Sequence, residues 1–325
     1  MLISVIVCTY CRTQALTNLL GSLAKQDGAD FEVLIVDGSG ENLSVRIAVE
    51  TFLRDRPSMR ANLRLIGSPK GLTRQRNCGL DHARGEIICF LDDDVTLQPD
   101  VLRRVAEIFV RPDFSDVGGL TAYDLHNYPT PVTVKWRLRR WLRIVPKLVP
   151  GAMDRLGRAV PVSFLKRFDG AREIAYLPGF FMAYRRSAIG TLRFDEQLPT
   201  YAGEDRDFSF RAGRHARLLI FGDLHVRHHY ERESREPYAA RIYQDGFGSG
   251  RIFAKCARKT DRLELVRFLV LDALVNLLGT LQRPSVAKLQ GAVARTRGIA
   301  AGYRSWIAER QSKTGAPRPA LEEIG

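Results

Sequence analysis

Ile87-Ile88-Cys89-Phe90-Leu91-Asp92-Asp93-Asp94 is the stretch on which the fold is read. Five apolar residues without polar alternation describe a strand buried on both faces, and such strands belong to parallel sheets covered by helices on each side. Three carboxylates follow where the strand must leave the sheet. Back toward the N-terminus the grammar repeats: strands over 2–8, 31–36 and 62–66, each followed by a helical pattern, over 13–26, 43–54 and 72–82. Strand–helix alternation with right-handed crossovers brings the strand C-termini to one edge, where open α/β sheets take ligands. Thr9-Tyr10, Asp37-Gly38-Ser39 and Asp92-Asp93-Asp94 all fall at that edge.

Beyond Pro99 the pattern is mixed. A helix is expected over 101–109, a strand over 117–123, and a longer strand over 174–184 interrupted by Pro178-Gly179. A helix start follows at Asp205, then short strands over 218–221 and 224–227, with helices dominating from Tyr238. The expected fold is α/β, a mainly parallel sheet flanked by helices with a helical C-terminal extension over 251–310. Residues 311–325, with two prolines and no apolar period, are expected to be a disordered tail.

At 325 residues, with 45% apolar and 26% charged residues, the chain can bury a core without staples. This excludes collagen, disordered, disulfide-scaffold and polytopic membrane classes. The net charge of +14 is uneven. Ten Lys/Arg against Asp154 alone fill a basic insert at 132–168, and twelve against four acids fill 251–310. The odd cysteine count, with Cys8 and Cys89 in apolar runs, fits reduced thiols. The opening residues lack a basic leader and a small-residue cleavage site, so a cytoplasmic location is expected.

Three adjacent carboxylates repel one another, and hard divalent ions take such oxygen ligands. In extended geometry Asp92 and Asp94 share a side and Asp93 points away. The pair could hold Mg²⁺ or Mn²⁺; the competing reading is a solvated acidic turn or helix cap. Gly203-Glu204-Asp205-Arg206-Asp207 is read either as acids favoured at a helix N-terminus or as the source of a carboxylate base for an alcohol. A histidine from Leu224-His225-Val226-Arg227-His228-His229 could complete a carboxylate metal site.

In order along the chain stand Ser4-Val5-Ile6-Val7-Cys8-Thr9-Tyr10, Val36-Asp37-Gly38-Ser39, Arg76-Asn77-x-Gly79 and Phe90-Leu91-Asp92-Asp93-Asp94. Leu177-Pro178-Gly179-Phe180-Phe181, Arg185-Arg186-Ser187, Phe194-Asp195-Glu196 and Gly203-Glu204-Asp205-Arg206-Asp207 follow. The series, over roughly residues 2 to 230, resembles the family-two glycosyltransferases of GT-A (Rossmann-like) fold. The resemblance implies an inverting transferase using a nucleotide-diphospho-sugar donor with Mn²⁺ or Mg²⁺. Residues 1–98 would be the donor half and 99–250 the acceptor-binding, catalytic half. Thr9 and Asp37 would contact the base, with Tyr10 and Asp93 among the donor-binding residues and Arg76 and Asn77 near the nucleotide. Where Asp37-Gly38 stands the family often carries two acids. Asp92 would face ribose and metal, and Asp94 would ligate the metal with His228, His229 being the alternate. Asp205 would be the base, with Glu204 supporting it or contacting the acceptor.

Lys135-Trp136-Arg137-Leu138-Arg139-Arg140-Trp141 mixes aromatic and basic residues, open to nucleic acid, anionic lipid or an acidic acceptor, with lipid preferred and no nucleic-acid partner expected. Residues 263–281 are nearly apolar, but Glu264, Arg267 and Asp272 interrupt them. They are read as a buried helix, a homo-oligomer contact or an in-plane anchor rather than a membrane span. Peripheral attachment to the inner face of the cytoplasmic membrane is expected. Asp245-Gly246-Phe247-Gly248-Ser249-Gly250-Arg251 is read as a phosphate cradle or a hinge.

The leading function is sugar transfer to a cell-envelope glycan or lipid-linked acceptor. A nucleotidyltransferase would carry a glycine- and arginine-rich loop with a lysine after the first strand, where Cys8-Thr9-Tyr10-Cys11-Arg12 stands. A non-catalytic membrane- or nucleic-acid-binding module would not need Asp92, Asp94 and Asp205 together.

Overall fold

The computed structural model describes residues 1–145, 147–200, 202–229, 237–257, 261–282 and 285–314. Its first four strands are β1 (Ile3–Thr9), β2 (Phe31–Asp37), β3 (Leu63–Gly67) and β4 (Ile87–Asp92). They pair in parallel, β1 lying between β2 and β4 and β3 flanking β2. Period two sorts their side chains. Ile3, Val5, Val7, Val33, Ile35, Ile87, Cys89 and Leu91 enter one core. Ile6, Leu34, Val36, Ile88 and Phe90 enter the other. Both faces are therefore dry, and each fully buried aliphatic side chain stabilises the fold by about 1.5–3 kcal/mol.

Helices α1 (Thr13–Leu23), α2 (Ser44–Asp55) and α4 (Val101–Val110) supply apolar stripes to the first core. Helix α3 (Leu72–His82) adds Leu80 to the second. A buried polar exception sits at the start of the sheet. Ser4 donates to Glu32 (2.7 Å) and accepts from the Arg84 and Gly85 N–H groups, while Glu32 also holds the Arg84 N–H and Arg64.

The sheet continues through β5 (Val95–Leu97), β6 (Val117–Asp124), β7 (Ala171–Glu173), β8 (Phe181–Arg185) and β9 (Arg217–His228). The order is β3-β2-β1-β4-β8-β6-β9-β5, with β7 on β9. Strand β8 runs antiparallel to both β4 and β6, so the parallel sheet becomes mixed where the sequence pattern changes. The strand expected over 174–184 is shorter: only β8 is extended, because the backbone turns at Pro178-Gly179, the Phe181 N–H donating to the Pro178 carbonyl at 3.3 Å. The two strands expected within 218–227 are one strand, β9, continuous through Gly222 with an irregularity against β6 at Ala122/Tyr123. Between β6 and β8 lie α5 (Val134–Trp141), which buries no residue, and the rest of the basic insert; α6 (Arg186–Ile189) and α7 (Glu204–Ala212) come later.

The chain divides into two compact units, Met1–Arg235 and Glu236–Gly325. The second contains α8 (Tyr238–Cys256), α9 (Arg262–Gln282) and α10 (Val286–Thr314). The glycine-rich stretch at 245–251 lies inside α8, so it is neither phosphate loop nor hinge. A Cβ on Gly246 or Gly250 would come within 2.4 or 2.0 Å of the Arg295 or Ile299 carbonyl oxygen. On Gly298 or Gly302 it would reach the Tyr243 or Phe247 oxygen at 2.2 or 1.9 Å. These glycines cost the helices propensity, about 1 kcal/mol each, and let the two backbones touch. Arg295 bridges Asp245 and Asp272 (2.8 Å to the latter), which accounts for the acid inside the apolar stretch of α9. Helix α10 runs through Thr314, so the tail expected from 311 is helical in its first four residues; 315–325 lie outside the described residues. None of the five cysteines is joined in a disulfide. Among the described residues no helix is long and apolar enough to cross a membrane.

Candidate active site

Registers Thr9↔Asp37 and Cys8↔Asp92 set the ends of β1, β2 and β4 side by side. Gln75 of α3 ties two of them, donating to the Thr9 and Val36 carbonyls at 2.8 Å each. Asp37 accepts the Ser39 N–H (2.9 Å), fixing the turn after β2. Tyr10 is partly exposed, with the Lys70 ammonium 4.2 Å from its ring centroid.

The acidic turn after β4 is charge-balanced by protein cations. Asp93 is buried; it accepts from the Thr9 hydroxyl (2.8 Å) and from Arg12 (2.6 Å). The same guanidinium donates to Asp94 Oδ2 (2.8 Å), so Arg12 clamps both carboxylates. Burial pushes the Asp93 carboxyl up to about 7, against the opposing pull of Arg12 and Thr9. For Asp94 burial also raises the pKa, but His228 and Arg12 outweigh it and hold the carboxyl below its ordinary range. Strand β5 begins directly after the turn, and its register Val95↔His228 sets His228 beside Asp94. His228 Nε2 lies 3.1 Å from Asp94 Oδ1, with the ring stacked on Phe180 at 5.2 Å. His229 faces Thr96 instead, at 2.9 Å, and His225 the Gly222 carbonyl.

A carboxylate oxygen each from Asp92 and Asp94 and a ring nitrogen of His228 lie within 4.8 Å of one another. His228 Nε2 and Asp94 Oδ1 are already 3.1 Å apart, and bonds of about 2.1 Å to one small divalent ion allow ligand separations up to about 4.2 Å. Two hard oxygens and an imidazole suit either metal.

The second acidic stretch is carried in by α7. Gly203 takes a left-handed conformation (φ 85°) at the helix start, which a side chain would strain. Phe208 stacks on Phe194 at 4.1 Å, and Ser209 accepts from the Leu177 N–H (3.0 Å) and meets the Tyr184 hydroxyl (2.8 Å). Thus anchored, the first turn presents Glu204 and Asp205. Buried Arg76 links the two stretches: it donates to Asp92 (3.3 Å), to Glu204 Oε1 (3.4 Å) and to the Gly179 carbonyl (3.1 Å). The Gly179 N–H in turn donates to Asp205 Oδ2 (3.1 Å). Burial, then the nearby Asp205 charge, pushes the Glu204 carboxyl up. Its Oε2 is buried with no hydrogen-bond partner among the described residues. Asn77 spends its amide on Phe194 and Glu196.

Sequence reasoning missed Arg12, Gln75 and the Gly179 backbone. Arg12 carried a signal: it follows β1 by three residues, beside the turn whose charge needed an answer.

Fold and ligand edge together define a GT-A-type α/β protein. The chain belongs to glycosyl transferase family 2, whose family model matches residues 4–193. It is 35% identical over 116 residues to the poly(ribitol-phosphate) beta-N-acetylglucosaminyltransferase TarS of Staphylococcus aureus, covering 35% of this chain and 20% of TarS. It is 36% identical over 105 residues to the succinoglycan biosynthesis protein ExoM of Rhizobium meliloti, covering 31% of this chain and 32% of ExoM. The match thus spans a fifth to a third of these relatives' length. Among solved structures, the mannosyltransferase PcManGT from Pyrobaculum calidifontis, in complex with GDP-Man and Mn²⁺, has a TM-score of 0.54 at 19% identity, covering 96% of this chain and 79% of that one. S. aureus TarS 1–349 with UDP-GlcNAc gives 0.51 at 21%, covering 96% and 92%.

Proposed function

We propose that the chain is an inverting glycosyltransferase that moves a sugar from a nucleotide-diphospho-sugar to a hydroxyl of a cell-envelope glycan or lipid-linked acceptor. One observation carries the reading: carboxylates more than a hundred residues apart converge on Arg76 and Gly179, Asp92 on one side and Glu204 and Asp205 on the other. The names of the relatives and neighbours, which act in glycan biosynthesis or hold sugar nucleotides, support it.

Asp205 acts as the base. Its Oδ2 is oriented by the Gly179 N–H, and it takes the proton of the acceptor hydroxyl as that oxygen bonds to the anomeric carbon and the bond to the diphosphate breaks. One in-line displacement inverts the centre, so one base suffices; such a base is worth about 10²–10⁴-fold. Glu204, held by Arg76, supports Asp205 and borders the acceptor. Thr9, Tyr10 and Asp37 form the base-side wall of the donor site, and Arg76, Asn77 and Asp93 act on the donor through the residues they hold. Asp92, Asp94 and His228 would hold Mn²⁺ or Mg²⁺, which when bound neutralises charge growing on the departing diphosphate.

Residues 1–98 serve the donor and 99–250 the acceptor. The basic insert and the C-terminal helices support a peripheral position on the inner face of the cytoplasmic membrane, with those helices as a homo-oligomer contact. Calorimetry with UDP- and GDP-sugars tests the donor site: binding that needs Mn²⁺ and disappears with chelator is expected. Asp205→Asn should keep that binding and lose transfer to envelope lipid extracts; near-normal turnover would overturn the assignment of the base.

A further inference from the structure

We propose that the outward faces of α9 and α10 are the surface by which the protein docks on an anionic lipid bilayer. The inference rests on the membrane placement above and assigns it to particular residues. Helix α9 leaves Leu263, Val266, Val270, Leu274, Leu277 and Leu278 exposed, from 83% for Leu263 to 40% for Leu278. At 3.6 residues per turn these positions fall within an arc of about 120°. Opposite them Leu265, Phe268, Asp272 and Val275 are buried, Phe268 stacking on Phe253 and Asp272 pairing with Arg295. The inward face is thus already spent, and the outward face is apolar over about four turns, interrupted within the arc by the exposed Arg267, which pairs with Glu264 at 2.9 Å.

Helix α10 repeats the device with charge added. Val286, Leu289 and Val293 are exposed apolar residues. Arg297 and Arg304 are exposed on the same helical line, one and three turns further on. The other side of α10 carries Gly298 and Gly302 into the seam with α8. Residues 236–325 hold fifteen Lys/Arg against eight Asp/Glu. An apolar stripe with arginines in line suits a leaflet of acidic headgroups over acyl chains, in which a helix lies in the interface plane. A second copy of the chain would bring its own arginines to face these, which disfavours self-association through this surface. Helix α5 is the weaker candidate: it is eight residues long, and Trp136 is turned onto Phe164 at 5.5 Å.

The test is co-sedimentation of the full chain with vesicles of equal parts phosphatidylglycerol and phosphatidylcholine, across a salt series. Wild type should partition onto them, weaken as salt rises, and ignore pure phosphatidylcholine. Val270→Asp with Leu274→Asp should abolish partition, and Arg297→Gln with Arg304→Gln should weaken it about fivefold per arginine. Lys135→Gln with Arg140→Gln on α5 should leave partition within twofold. Unchanged helical circular dichroism, thermal unfolding and donor binding in these variants would show that fold and donor site are intact, separating failure here from failure of the transferase reading. Aspartate variants that partition like wild type would overturn the proposal, as would wild type that ignores anionic vesicles. So would variants that convert a dimer to a monomer while lipid binding persists, since the face would then belong to a second copy.

Discussion

The two acidic stretches of the N-terminal unit are built in opposite ways. At Asp92-Asp93-Asp94 each carboxylate has a cation within hydrogen-bonding range: Arg76 for Asp92, Arg12 for Asp93, Arg12 and His228 for Asp94. At Glu204-Asp205 cationic help is thin. Glu204 shares Arg76 (3.4 Å) with Asp92 (3.3 Å), and Asp205 accepts only from the backbone N–H groups of Gly179 and Arg206 among the described hydrogen bonds. The first arrangement fixes the carboxylates in place and, at Asp94, holds the carboxyl below its ordinary range, as the proposed metal ligand requires. The second orients Asp205 through backbone donors alone, which suits the proposed base. Charge compensation, more than acid count, separates the proposed ligand set from the proposed base.

The largest expected effect breaks the second arrangement. Asp205→Asn should lower the transfer rate by about 10²–10⁴-fold with donor affinity unchanged, read by steady-state kinetics beside calorimetry. Next, Asp94→Asn should weaken Mn²⁺-dependent nucleotide binding about a hundredfold or more, since even the outer partners of metal ligands are worth ~10–100-fold. Arg12→Ala sharpens the comparison: it leaves every ligand in place but frees the turn, and Mn²⁺ affinity, read by spin-resonance titration, should fall about 10–100-fold. Arg12→Lys, which can grip only one carboxylate at a time, should recover part of it.

The smallest effect comes from a carboxylate with purely structural partners. Burial would raise the Glu32 pKa, but Ser4, the Arg84 N–H and Arg64 outweigh it and hold it low. A depressed folded pKa stabilises the protein above the ordinary glutamate range, near 4.3, and that stability is lost as pH falls through the folded value. Glu32→Gln should therefore cost about 1 kcal/mol at neutral pH. Its urea midpoint should converge on wild type in acid.

What was legible beforehand followed periodicity. Strands buried on both faces announce themselves as apolar runs, so β1, β2 and β4 and the edge they define could be read from residues 2–94. Three-residue β5 gave too short a pattern, yet its register with β9 brings His228, not His229, to Asp94. Arg12 and Gln75 act across strand ends from different elements, and only the β2-β1-β4 order makes them neighbours. Pro178-Gly179 looked like a flaw in a strand because a backbone that serves a site has no side-chain signature. The glycines of α8 read as a loop for a similar reason: their partner, α10, lies some fifty residues away.

The most direct test is a crystal grown with Mn²⁺ and UDP, with data collected for the anomalous signal of manganese. One peak coordinated by Asp92, Asp94 and His228, with diphosphate oxygens completing its shell and Asp205 facing the open side, is the predicted result. Manganese bound elsewhere, or nucleotide bound with that trio still joined only to Arg76, Arg12 and each other, would contradict it.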